Sequence, residues 1–191
     1  MFGRNDPLNV DTWHEPKFDI SGLSIASAGS CFAQHIGKAL KNNGFKYLDA
    51  EPAPDYLPAE QHQNFGYGIY SARYGNVYTV RQLLQLAQQA FGEFTPTERI
   101  WQYKNGVVDP FRPTLQPTPF DSEQELLACR RDHLQAVAEL FSTCGLLIFT
   151  MGLTESYVSK EDGSVYPVCP GVNGGEFDPN KYVFHNFSYN E

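Results

Sequence analysis

Apolar positions along the chain follow two different periods, and these predict its elements. Residues 23–28 (LSIASA) form a short run of small and branched side chains leading straight into Gly29, Ser30 and Cys31, the pattern of a buried strand. Over 31–43, Phe32, Ile36, Ala39 and Leu40 recur at helical spacing, Gly44 supplies a left-handed stop, and 45–48 turns extended again. Strand, tight turn, helix and strand in this order predict two parallel strands with the helix packed on one face.

Residues 50–78 show neither period and are expected to be a long ordered loop, rich in aromatics and glycine in its second half. Thr79 then caps a helix, TVRQLLQLAQQAF, with Val80, Leu83, Leu84, Ala87 and Phe91 as its apolar face and Gly92 as its end. The runs RIWQYK and VVD flank Asn105 and Gly106, expected to be the turn pair of an accessory β-hairpin. Ser122 and Glu125 predict a capping box for a third helix, with Leu126, Leu127, Leu134, Val137, Ala138 and Phe141 as its stripe and Arg130, Arg131 and Asp132 on its solvated face. LLIFT (146–150) reads as a central strand, followed by a polar turn from Met151 to Glu155, and a second hairpin is expected around Asp162 and Gly163. The final S-x-x-E, Ser188 to Glu191, is a helix start without a helix, so 1–191 is expected to be one domain that stops before its C-terminal part, leaving apolar surface exposed.

Charge narrows the range of partners. The 191 residues carry a formal net charge of −8, which gives no basic footprint for nucleic acid or an anionic membrane surface. No secretory signal or 18-residue apolar span is visible, so the expected compartment is the cytoplasm. Cys31, Cys129, Cys144 and Cys169 lie too far apart for metal-site spacing and are expected to be free thiols, with no metal and no cofactor.

Chemistry is expected at the carboxyl ends of the parallel strands, in the turns after LSIASA and after LLIFT. In the first, Gly29 permits a tight turn, and Ser30 and Cys31 sit where unpaired N–H groups and the positive helix end favour a thiolate or an oxyanion. The string Gly29-Ser30-Cys31-Phe32-Ala33 resembles the GSCFA family of bacterial proteins, themselves similar in fold to the SGNH or GDSL hydrolases. Further matches are Asn64-Phe65-Gly66, the turn Thr150-Met151-Gly152-Leu153-Thr154-Glu155, and Pro170-Gly171.

The resemblance implies a three-layer α/β/α fold with a mainly parallel, flavodoxin-like sheet of SGNH-hydrolase type. It also implies an acyl-transfer enzyme, an esterase or acyltransferase acting on acylated saccharides or similar polar esters. Laid over G-D-S-L, the turn puts Cys31 in the nucleophile's slot and Ser30 in the aspartate's; the register in which Ser30 attacks stays open. Gly66 with Asn64 is the first choice for the oxyanion block, and Gly75 with Asn76 is the alternative. Gly152, Thr154 and Glu155 overlie G-x-N-D, with Thr154 replacing an amide donor. Of His14, His35, His62, His133 and His185, none lies in the D-x-x-H arrangement of the group's base; most are expected at the surface, while His35, one helical turn after Cys31, and His62 are candidates, and the base is otherwise expected beyond Glu191. The alternative reading is a carbohydrate- or partner-binding domain that keeps the fold without the chemistry.

Overall fold

Strand β1, Ile25–Gly29, is buried at every position, as a run of small residues covered on both faces must be. It pairs in parallel with β2, Leu146–Thr150, in the register Ile25↔Leu146 through Gly29↔Thr150. On its other side β1 meets 45–48, where the expected second strand is reduced to a bridge between Ile25 and Tyr47, held by Ile25 N–H to Lys46 O and Leu48 N–H to Ile25 O, each 2.8 Å. The computed structural model that gives this architecture describes residues 17–190. His14 and Glu191, and with them the terminal S-x-x-E reading, lie outside the described residues.

Gly29 marks the end of β1 for a steric reason. Its φ is +143°, and a Cβ there would lie 2.1 Å from Thr150 Oγ1 and 2.7 Å from Thr150 O. Helix α1, Ala33–Asn42, follows after one turn, and Gly44 ends it at φ +77°.

The long loop contains one 3₁₀ stretch, Ala59–Phe65, and otherwise lies against β1. Tyr70, Ala72, Tyr74 and Val77 join Ala26 and Ala28 in the main core, together with Val137 and Leu140 of helix α3, Glu123–Thr143. Ser71 Oγ accepts from Ser27 N–H at 2.9 Å, and Val77 N–H donates to Gly29 O at 2.9 Å. The irregular backbone therefore stays ordered because β1 and its neighbours satisfy it.

Helix α2, Val80–Ala90, starts at a complete capping box between Thr79 and Gln82. Its orientation corrects the expected apolar face. Gln82, Gln85 and Gln89 are buried, whereas Val80, Leu84 and Phe91 are 57, 44 and 52 % exposed. The inward side of α2 meets polar partners: Gln85 Nε2 donates to Gly163 O at 2.8 Å and its Oε1 accepts from Val165 N–H at 2.9 Å, replacing a strand partner for that hairpin. The outward apolar stripe, with Phe141, Cys144 and Leu147, lines an open groove of about 450 Å³.

Helix α3 corrects two further expectations. Its Ser122 cap accepts from Glu125 N–H at 3.1 Å, but the Glu125 carboxylate reaches Asp121 N–H instead of closing the box on Ser122. Its buried face is Leu126, Arg130, His133, Val137 and Leu140, so Arg130 and His133 point inward; Arg131 and Asp132 are solvated, as expected.

Two antiparallel units complete the fold. In the first hairpin, β3 (Trp101–Tyr103) pairs with β4 (Gly106–Val108), and the turn residues are Lys104, at φ +52°, and Asn105. Gly106 is thus a strand residue, needed because a Cβ there would come within 2.3 Å of Phe120 O. The second is a three-stranded sheet in which β5 (Glu155–Ser159) is flanked by β6 (Val165–Tyr166) and β7 (Tyr182–Asn186). Glu155, expected in the turn, is its first strand residue. LLIFT, read as a central strand, pairs only with β1 among the described residues and is half-buried throughout. The fold is mixed α/β, a small parallel pair plus antiparallel sheets. No helix among the described residues is long and apolar enough to cross a membrane.

Candidate active site

Because Gly29 is opposite Thr150 in a parallel register, the turns after β1 and β2 emerge at the same edge. They touch: a Cβ on Gly152 would lie 3.0 Å from Ser30 Cβ and 3.5 Å from the Tyr78 ring. Segment 77–78 is stitched to both turns, with Val77 N–H on Gly29 O and the N–H groups of Gly152 and Leu153 on Tyr78 O at 3.0 and 3.2 Å.

Around this junction two clefts open, and the residues singled out from sequence divide between them. The first, about 220 Å³, is lined by Cys31, Gly66, Gly75 and Asn76, with Gln34 and Tyr70 beside them. The second, about 630 Å³, holds Gly152, Thr154 and Glu155, with Thr79, Arg81 and Phe187. Ser30 is half-buried between them and lines neither. Asn64 is exposed on the 3₁₀ stretch, away from the wall of the first cleft. Thr154 donates its hydroxyl to Glu155 at 3.2 Å.

Cys31 is exposed at the mouth of its cleft, ahead of α1. Phe32 occupies the N-cap position and makes no side-chain cap bond, and no acidic residue stands in the first turn, so Ser30 is not the cap and the helix end keeps its positive character toward Cys31. In the same cleft, buried Tyr70 donates its hydroxyl to Asn76 Oδ1 at 2.6 Å. That bond occupies the amide oxygen and leaves the NH₂ end to donate elsewhere. Burial pushes the Tyr70 hydroxyl up to about 12, with the charge of a Cys31 thiolate adding to the rise. Tyr78 is raised by burial first and by Cys31 second, against a hydrogen bond with the Asn76 side chain that lowers it, so one hydrogen of the Asn76 NH₂ is directed at Tyr78. Both tyrosines are therefore neutral hydrogen-bonding groups around Cys31 at neutral pH.

No histidine and no carboxylate lines this cleft among the described residues. His35 is exposed beside the Phe32 ring, and it is Gln34 that α1 turns into the cleft. His62 Nε2 bonds Leu57 O at 2.9 Å within the loop, and His185 lies on β7 against the Phe187 ring. Among the described residues no group of three or more His, Cys, Asp or Glu is placed to hold a metal ion.

His133, expected at the surface, is 1 % exposed and belongs to a buried polar network that sequence reading missed. Its Nδ1 lies 2.6 Å from Glu51 Oε2, which also accepts from Arg73 N–H at 2.6 Å. Burial lowers His133 to about 4, with the Arg112 charge second, so the ring is neutral and Nδ1–H donates. Burial alone would raise Glu51, but the His133 bond, Arg112 and the Arg73 N–H outweigh it and hold the carboxylate below its ordinary range. Next to this pair, Asp109 accepts from Arg112 Nε at 2.9 Å and from Arg130 Nη1 at 2.7 Å, while Arg130 Nη2 donates to Gln89 Oε1. The two guanidinium groups overcome the burial of Asp109 and hold it well below the usual carboxylate range. Arg112 Nη1 reaches Arg73 O at 3.0 Å and Arg73 Nε reaches Phe65 O at 2.9 Å. The network anchors both ends of the loop that carries Gly66, Tyr70 and Asn76. Its signal in the sequence is the spacing of Leu126, Arg130, His133, Val137 and Leu140, a helical face with two polar members.

A family model described as the GSCFA family matches residues 24–191 of this chain. No curated protein and no solved structure matches it.

Proposed function

The chain belongs to the GSCFA family, and from this premise we propose that it is an acyl-transfer enzyme, an ester hydrolase or acyltransferase acting on O-acylated saccharides or similar polar esters. The observation that carries the reading is the Cys31 cleft: an exposed thiol at an uncapped helix end, sharing the cleft with an amide that Tyr70 holds by its oxygen. Its walls are uncharged, hydrogen-bonding groups together with the apolar Ile69 and Leu115, suited to a neutral ester with both hydroxyl and acyl parts. The parallel β1–β2 pair, with α3 packed against β1, is in keeping with an SGNH-like three-layer sheet, and the free cysteines with a reducing, cytoplasmic setting.

In this reading the Cys31 thiolate attacks the acyl carbonyl, and the tetrahedral oxyanion takes a hydrogen bond from Asn76. The C–O bond to the saccharide breaks, the leaving oxygen takes a proton from solvent, and a thioester remains on Cys31. Water or a second hydroxyl then attacks the thioester, the C–S bond breaks, the attacking oxygen's proton passes to solvent, and the Cys31 thiolate is restored. Asn76 with Gly75 takes the place first given to Asn64, while Gly66 keeps its role in the cleft. Gly152, Thr154 and Glu155 line the neighbouring cleft, where the remainder of the substrate or the acceptor would lie.

A second reading, a binding domain without turnover, is favoured by one observation: no histidine or carboxylate lines the Cys31 cleft among the described residues. A panel of acetylated saccharides, assayed for acetate release and for acetyl exchange, separates the two. The enzyme reading expects turnover that Cys31→Ala abolishes and Ser30→Ala only weakens. Loss with Ser30→Ala alone moves the nucleophile to Ser30, and saturable binding that leaves every ester intact establishes the binding domain.

A further inference from the structure

Behind the Cys31 cleft, and sharing Asn76 with it as a wall, lies a small cavity of about 30 Å³ lined by α2, α3 and the segments 74–77, 111–112 and 165–167. Its polar lining is buried: Gln82, Gln89, Arg112, Arg130 and His133 are all under 10 % exposed. His133 Nε2 is a wholly buried atom with no protein hydrogen-bond partner, although the same ring is fixed through Nδ1 by Glu51. With Nδ1 as the donor to a carboxylate, Nε2 presents a lone pair. Buried acceptors of this kind are satisfied in folded proteins, by protein or by ordered water.

The geometry points to a site for one ordered water molecule, donating to His133 Nε2 and accepting from a donor in the cavity lining, Gln82 foremost. The volume is enough, because a single water needs roughly 10–15 Å³ of such space. Chemistry excludes the other small occupants. A deprotonated anion has no hydrogen to give to Nε2, and a cation would sit against the guanidinium groups of Arg112 and Arg130. Gln82 is prepared for the role: its Oε1 accepts from Tyr78 N–H at 2.9 Å and Thr79 N–H at 3.0 Å, which leaves its NH₂ as the free end. Water both donates and accepts, and it is small enough for the space. Bound there it bridges α2 to α3 behind Asn76 and supports the cleft from its buried side, a role independent of the acyl-transfer reading.

The test is a high-resolution crystal structure of the 191-residue protein together with ¹⁵N spectra of its histidines. The expected result is one solvent peak within hydrogen-bond distance of His133 Nε2, and a neutral ring protonated at Nδ1 with the Nε2 shift of a hydrogen-bonded acceptor. In Gln82→Met, which replaces the amide donor by an apolar chain of similar size, the peak should vanish and the Nε2 signal should move to that of an unbonded acceptor. If Gln82→Met does not fold, the wild-type spectra still decide. Empty density, a protein atom on Nε2, a ring protonated at Nε2, or an unchanged Nε2 signal in folded Gln82→Met would each overturn the site.

Discussion

Asn76 carries a specific burden at the residue scale, because the oxyanion assignment rests on an amide held by one hydroxyl. Losing one such donor typically costs about 10²–10³ in turnover. Asn76→Ala is expected to lower kcat by that factor with little change in KM, while Asn64→Ala, exposed and away from the cleft wall, should leave both near wild type. The reverse pattern in steady-state kinetics would return the role to Asn64. Gly29 makes a prediction about stability instead. A methyl group there meets Thr150 at 2.1 Å, and φ +143° disfavours any side chain. Gly29→Ala is expected to cost on the order of 3 kcal/mol in urea unfolding, combining overpacking and backbone strain. Gly163→Ala, also at positive φ but in open space, should cost only about 1 kcal/mol.

Among the elements, α3 shows what a buried charge does to a helix. Asp109 is shared by Arg112 and Arg130, and removing it leaves two guanidinium groups buried without their counter-charge. Asp109→Ala is therefore expected to cost about 3–5 kcal/mol, and Asp132→Ala, whose partner Arg131 is solvated, less than about 1 kcal/mol. Equal losses on a denaturant curve would contradict the inward placement of Arg130. The same helix explains how far the sequence could be read. Elements with one strong period or one strong cap were legible: β1 and β2 fall where small and branched runs place them, and Thr79 and Ser122 start their helices. The facing of α2 and α3 was not. Gln82 turns inward to close its own capping box, whereas Gln85, Gln89, Arg130 and His133 are inside because backbone edges and charges from distant segments need partners there. Those partners come from residues far apart in sequence, which no local period records. Cys31 was legible as a candidate for the opposite reason: its turn is local, a tight glycine between a strand and a helix.

At the scale of the whole molecule, the buried network predicts acid sensitivity. His133 is neutral in the fold, with its value lowered to about 4 from an ordinary 6.5, so the unfolded chain binds more protons between those values. Stability should fall as pH drops through that window, by on the order of 3 kcal/mol. Glu51, held low in the fold, loses its contribution in the same direction as pH falls through its folded value, and Asp109 follows in stronger acid. Urea midpoints at about pH 7 and about pH 4.5 check this, and a flat profile would contradict a neutral buried His133. Because the network ties Glu51, Phe65 and Arg73 to α3, acid should also loosen the loop that presents Tyr70 and Asn76 to Cys31. The most direct test of the central claim is to mix the protein with an activated acetyl ester, quench before turnover completes, and map the adduct by peptide mass spectrometry. The account predicts an acetyl thioester on Cys31 that hydroxylamine removes and that Cys31→Ala does not form; an adduct on Ser30, or none on either residue while ester is consumed, would contradict it.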